Sequence, residues 1–246
     1  KKTFKELLKY LIDTMKGPFF SNRYYQKSLY YTAVDSPLWF FLILQKYENM
    51  LGATKKSIWK DYGEVMSIIL NSFIDGTDFN VKTLENGLLY AGNENLALTW
   101  MNVFCDGKPY TPRTGLNIEI NALWYNALCF AADLLGENTL TEALKDIAEK
   151  TAVSFVDTFL NEHGYLLDYV DGHMMDWSVR PNMIFAAAFD YSPLNTRQKK
   201  GIVDICSKEL LTPKGLRSLS PKSGGYNPNY VGPQHQRDYA YHQGTA

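Results

Sequence analysis

Apolar residues recur with helical period along most of the chain. Phe4, Leu7, Leu8, Leu11, Ile12 and Met15 fall on one stripe, with lysines and Asp13 opposite, which predicts a surface helix. Ser36 and Pro37 then supply an N-cap and a first-turn proline for residues 38–44, a run without a polar break that predicts a helix apolar all round. Ile58, Tyr62, Val65, Met66, Ile69, Leu70 and Phe73 give another one-sided stripe, followed by an extended stretch near residues 79–90 and a long loop to Gly115. Residues 117–135 carry apolar side chains on more than one face before Gly136 stops them, whereas residues 140–159 return to a single stripe. A short apolar helix over 183–189 and an amphipathic one ending at Pro213 complete the series.

These seven helices alternate between amphipathic and buried. Two concentric helical layers produce that order, because inner helices meet protein on all sides and outer ones keep a wet face. The pattern predicts an all-α fold with residues 1–246 as one domain, long loops and a short β-hairpin at one end. Each buried helix follows a polar, aromatic connection, at residues 30–35, 90–113 and 167–182, and a fourth such segment spans 215–243. In a helical ring these connections share one end, so Asp35, Trp100, Asn102, Arg113, Glu119, Asp176, Arg180, Asn182, Arg237, Asp238 and His242 converge on one funnel.

Composition narrows the partners. A net charge of -1 over 246 residues disfavours nucleic acid and acidic membrane surfaces. No apolar run approaches the roughly 18 residues of a membrane span. Lys1, Lys2, Lys5 and Lys9 belong to an amphipathic pattern rather than a signal peptide. Cys105, Cys129 and Cys206 are odd in number and far apart, which argues against a zinc site or disulfide framework and fits a reducing, cytoplasmic compartment. His163, His173, His235 and His242 lack metal-ligand spacing and no Gly-rich phosphate loop is present, so neither metal nor cofactor is expected. The 17 Tyr and 5 Trp fit either core filling or a sugar site whose rings stack on aromatic faces.

Seven motifs stand in order: Val34-Asp35-Ser36-Pro37-Leu38-Trp39-Phe40, Leu98-Thr99-Trp100-Met101-Asn102, Tyr110-Thr111-Pro112-Arg113, a helix start at Ile118-Glu119-Ile120-Asn121, Arg180-Pro181-Asn182, Leu211-Thr212-Pro213-Lys214-Gly215, and Tyr241-His242-Gln243-Gly244-Thr245. Together they resemble the C-terminal amylo-α-1,6-glucosidase domain of glycogen debranching enzymes, especially the bacterial branch. The resemblance implies an (α/α)6 toroid and inverting hydrolysis of α-1,6-linked glucose in branched α-glucan, glycogen or limit dextrin. Seven of twelve helices imply an incomplete toroid, cut at both ends. These 246 residues are then expected either to pack against other polypeptide at an open edge or to expose an apolar seam beside residues 38–44, and to show no glucosidase activity alone.

Inverting hydrolysis needs one protonated carboxyl and one carboxylate, roughly 6.5–9.5 Å apart. The position that the resemblance assigns to the acid is Asn102, which cannot donate in that way, and the family's eukaryotic glutamate falls at Ala246. Asp35 and Glu119 are the remaining catalytic candidates, against a local turn role for Asp35 and a helix N-terminal role for Glu119. Asp168, Asp171 and Asp176 share one loop from which an acid could reach the site. Trp100, Arg113, Asp176, Arg180, Asn182, His242 and Gln243 are candidate sugar contacts, with salt bridges, caps and loop shaping as the plain alternatives. Asn102 also favours an alternative, a non-catalytic α-glucan-binding relative. A helical scaffold for protein partners is a third reading, recognisable by a broad exposed apolar patch without a polar funnel.

Overall fold

The computed structural model of the chain describes residues 2–21, 23–25 and 28–245. Ala246, the position of the eukaryotic glutamate, and Lys1 lie outside the described residues. Among these, eight α-helices dominate: α1 (Lys2–Asp13), α2 (Asp35–Leu51), α3 (Lys55–Asp75), α4 (Ile118–Leu135), α5 (Thr139–Phe159), α6 (Met183–Ala188), α7 (Thr196–Glu209) and α8 (Gln234–Ala240). Seven were expected; α8 lies inside the segment read as a connection. The strands are two or three residues long and no sheet exceeds three of them, so the fold is mainly α. No described helix is long and apolar enough to cross a membrane.

α4 is the centre. Fourteen of its 18 residues are buried, and it packs against α2, α3, α5 and α6. α2 and α6 flank it as the other inner helices, while α3, α5 and α7 bury one stripe each and keep charged residues outward. α4 matches the expected buried helix and α3, α5 and α7 the amphipathic ones, whereas α6 buries only Met183 and Ala186 of its six residues. Residues 38–44, beside which an apolar seam or a covering polypeptide was expected, divide between buried and half-buried positions, the latter Trp39, Leu42 and Ile43. Leu38, Phe40, Phe41 and Leu44 are buried, and the half-buried Trp39 ring meets Phe185 and Phe189 edge-on at 5.2 and 5.9 Å. α6 thus covers part of the surface that a missing neighbour was expected to cover.

Local chemistry fixes the helix ends. α3 begins with a reciprocal capping box, Thr54 with Ser57, and α7 with Asn195 and Gln198. α2 starts at Asp35 with no side-chain cap, so Ser36 lies inside the first turn instead of capping it. Trp124, wholly buried on α4, donates its indole N–H to the Gly87 carbonyl at 3.1 Å, which places it in the core. The extended stretch near 79–90 is a hairpin of β3 (Lys82–Thr83) and β4 (Leu89–Tyr90). Asn121 of α4 binds that hairpin as a strand would, accepting from Leu89 N at 2.7 Å and donating to Leu89 O at 3.1 Å.

The N-terminal ends of α2, α4 and α6 carry Asp35, Glu119 and Asn182. Their approaches are tied together. Val34 N donates to Leu98 O at 2.8 Å, and the strand Leu116–Asn117 before α4 pairs with Tyr169–Asp171, which pairs with Met174–Met175. Gly115 permits that pairing, since its φ is +108° and an added Cβ would stand 2.5 Å from the Val170 carbonyl.

Candidate functional site

Arg113 is the hub of the loop end. Its Nη1 donates to Glu119 Oε1, its Nη2 to Glu119 Oε2 at 2.6 Å, and its Nε to Asp168 Oδ2 at 2.8 Å. Further bonds reach Thr99 Oγ1 at 3.3 Å and the Asp168 carbonyl at 3.1 Å. The planar guanidinium is thus divided between two carboxylates, which suits its fork of five donors. Arg113, Glu119 and Asp168 are all almost completely buried. Arg113 also holds φ at +48°, and this left-handed backbone turns the loop back toward α4.

A second arm runs outward from Asp168. Asn182 does not cap α6; its Nδ2 donates to Asp168 Oδ1 at 2.7 Å and its Oδ1 accepts the Trp100 indole N–H at 2.9 Å. The Trp100 ring meets His242 edge-on at 4.7 Å. Arg180 donates to the backbone carbonyls of His242 at 2.6 Å and Ser218 at 3.1 Å, and to Gln243 Oε1 at 3.3 Å. Its Nε stands 3.7 Å from Asp168 Oδ2. Gly244 completes the turn after His242, with φ at +136° and the Tyr226 ring 2.4 Å from where a Cβ would lie.

The electrostatics divide the acids. Burial, followed by the nearby charge of Glu119, raises Asp35 from 3.8 to about 6. Burial pushes the Asp168 carboxyl up while Arg113 and Arg180 oppose it; with Arg113 Nε and Asn182 Nδ2 both aimed at its oxygens, it accepts as a carboxylate. Burial works against the Arg113 cation, but Asp168 and Glu119 outweigh it and hold the charge. Burial, then the Arg180 and Arg113 charges, lowers His242 to about 4, so its imidazole is neutral at physiological pH.

Three buried nitrogens at this end make no hydrogen bond: Arg180 Nε, which has only its 3.7 Å ion pair with Asp168, His242 Nε2 and Gln243 Nε2. Unmet polar atoms are costly in a core and mark where a hydroxyl-rich ligand or water can be received.

The expected funnel residues separate into groups. Glu119, Arg113, Arg180, Asn182, Trp100, His242 and Gln243 form one connected network, and Asp35 lies within the electrostatic reach of Glu119. Arg113 directs its donors into protein, which fits the salt-bridge alternative better than a direct sugar contact. Asp176 accepts from Ser178 N at 2.8 Å, and its backbone pairs with residues 168 and 169. Asn102 is exposed on the loop two residues beyond Trp100. Asp238 accepts from Gln234 at 2.6 Å, and Arg237 likewise bonds Gln234 rather than its neighbour.

Asp168, which the sequence left as one of three acids in a loop, is the second carboxylate of the hub. Leu166 and Leu167 before it and Val170 after it are buried, and an acid inside such an apolar run was the available signal. Among the described residues no group of three or more His, Cys, Asp and Glu is placed to hold a metal ion.

Comparison with known proteins settles the ancestry. Residues 4–246 match the family described as amylo-alpha-1,6-glucosidase. The chain belongs to that family. A glycogen debranching enzyme of Saccharomyces cerevisiae is 26% identical over 207 residues, a match covering 65% of this chain and 13% of the yeast protein. The chain therefore spans a small part of that relative's length. Within the amylo-alpha-1,6-glucosidase family, the loop-end network of this chain contains two carboxylates clamped by one arginine and a third, Asp35, outside the clamp.

Proposed function

We propose that the protein is a debranching-type glycoside hydrolase that removes α-1,6-linked glucose from branched α-glucan with inversion, and that residues 1–246 form part of an (α/α)6 toroid. Family membership supports the reaction class. The observation that carries the site assignment is Asp35, a buried acid raised to about 6 beside Glu119. A carboxyl whose pKa is raised toward the working pH is what a proton donor requires, and a second carboxylate nearby is what a base requires.

Asp35 donates its proton to the glycosidic oxygen as the bond from that oxygen to the anomeric carbon breaks. Water adds to the opposite face of that carbon, and Glu119 takes the proton from the water. Arg113 and Asp168 position Glu119, and Trp100, His242 and Gln243 receive the glucose. The test is glucose release by the intact gene product from limit dextrin or an isomaltosyl substrate, with the first-formed anomer read by NMR. Loss of release in Asp35→Asn and initial β-glucose support the assignment; initial α-glucose or an active Asp35→Asn enzyme overturns it.

Asn102 favours a second reading, a non-catalytic α-glucan binder. Hydrolysis that appears only after Asn102→Asp supports that reading, and hydrolysis by the unaltered protein rejects it.

A further inference from the structure

Beyond the buried network, exposed aromatic rings continue outward from Trp100. His242 lies against Trp100 at 4.7 Å and against Tyr241 at 4.0 Å, and Tyr241 lies 5.9 Å from Tyr230. Trp100, Tyr241 and Tyr230 are 37, 41 and 44% exposed, whereas His242 beneath them is 4% exposed. A single exposed aromatic is ordinary, but here three are linked by ring contacts into one row that starts at the candidate site.

The row is held in place. Arg180 grips the His242 carbonyl at 2.6 Å, Asn227 N donates to Gln243 O at 2.6 Å, and Gly244 N donates to Ser218 Oγ at 3.0 Å. Trp100 uses its indole N–H on Asn182, so its polar edge is already partnered. At the outer end Arg237 lies over Tyr230 at 6.0 Å, with its Nε buried and unpartnered. Aromatic faces beside unmatched nitrogens suit a ligand with flat C–H surfaces and many hydroxyls.

We propose that Trp100, Tyr241 and Tyr230 form a track for the linear α-1,4-linked run of the glucan, which leads the substrate into the site and sets a preference for long chains. The inference rests on the α-glucan reading above. Rings already in contact with one another before the sugar arrives lower the ordering cost of engaging it.

Calorimetric titration with maltose and maltoheptaose tests it, using the intact protein and the variants Tyr230→Ala, Tyr241→Ala and Tyr230→Phe. The protein is expected to prefer maltoheptaose, and each alanine variant to reduce that preference about tenfold, the loss of one stacking contact. Tyr230→Phe keeps the ring and is expected to keep the preference. Equal affinity for both sugars in the unaltered protein overturns the track. So does undiminished maltoheptaose binding by Tyr230→Ala with an unchanged circular dichroism spectrum. Should Tyr241→Ala fail to fold, the exposed Tyr230 decides alone. Maltoheptaose binding without glucose release rejects the hydrolase but retains the track, whereas glucose release with unaffected alanine variants rejects only the track.

Discussion

The two ends of the inner helices treat charge in opposite ways. At the N-terminal ends of α2, α4 and α6, Arg113, Glu119 and Asp168 are buried in one network with unmatched nitrogens close by. At the other end, Lys55 pairs with Asp133 at 2.6 Å with both side chains substantially exposed, and Tyr191 joins the same carboxylate at 2.7 Å. A cavity of about 460 Å³ lies there too, walled by Tyr125, Cys129 and Tyr191 among others, and remote from the buried acids. None of the residues of the buried network lines that cavity. A folded chain keeps charges dry only where packing and partners hold them, and that contrast supports the proposal that the chemistry lies at the N-terminal ends.

The sharpest way to break this contrast is to remove the hub. Arg113→Met leaves Glu119 buried without a countercharge and Asp168 with only Arg180, at 3.7 Å, and is expected to lower stability by about 3–5 kcal/mol. Urea denaturation reads the loss, and a change below about 1 kcal/mol would reduce the buried network to the status of a surface pair.

Asp35→Asn separates function from stability at the same end. Hydrolysis is expected to drop by about 10²–10⁴-fold, the usual worth of a placed proton donor. On the proposed role of Asp35, activity of the unaltered protein is expected to fall as pH rises through about 6, because the donor then loses its proton. Stability changes with the same sign: the folded state holds this proton more tightly than the unfolded chain, whose carboxyl stays near 3.8. The stability contribution therefore declines from about pH 4 to pH 6. Asp35→Asn should flatten that decline and recover up to about 3 kcal/mol at neutral pH. Denaturant melts at pH 4, 5, 6 and 7 check it, and parallel curves for the two proteins would count against a buried, protonated Asp35.

Asn182→Ala removes one bond to Asp168 and one to Trp100. A cost of about 1–3 kcal/mol is expected, with a change in Trp100 emission. The smallest effect belongs to the far end. Lys55→Met should cost less than about 1 kcal/mol, and less still at high salt.

Much of the scaffold was legible in the pattern of side chains. Residues 117–135 and 140–159 read as a buried and a one-sided helix, and α4 and α5 occupy nearly those bounds. α8 was missed because Gln234, His235, Gln236 and Arg237 offer no apolar stripe; the helix rests on the hairpin of Phe104–Cys105 and Lys108–Pro109. The site was legible as a set of residues but not as a set of roles. Arg113 and Glu119 are close in sequence, yet nothing in either motif reveals that Asp168, 55 residues further on, shares the same guanidinium. Likewise Asn182 looked like a helix cap because caps depend on neighbours in sequence, whereas its actual partners are distant ones.

The span of the Arg113 cluster also bears on the order in which the molecule is built. Its contacts join residues 99, 113, 119 and 168, and the Trp100–Asn182 bond closes a separation of 82 residues. Loops of that length must close before the guanidinium meets both carboxylates, so an early collapsed chain would trap an unmatched ion. The helices, whose hydrogen bonds are local, can pack first. The charged hub then locks in as a late step, and amide protons at the loop end should exchange with solvent sooner than those in the middle of α4.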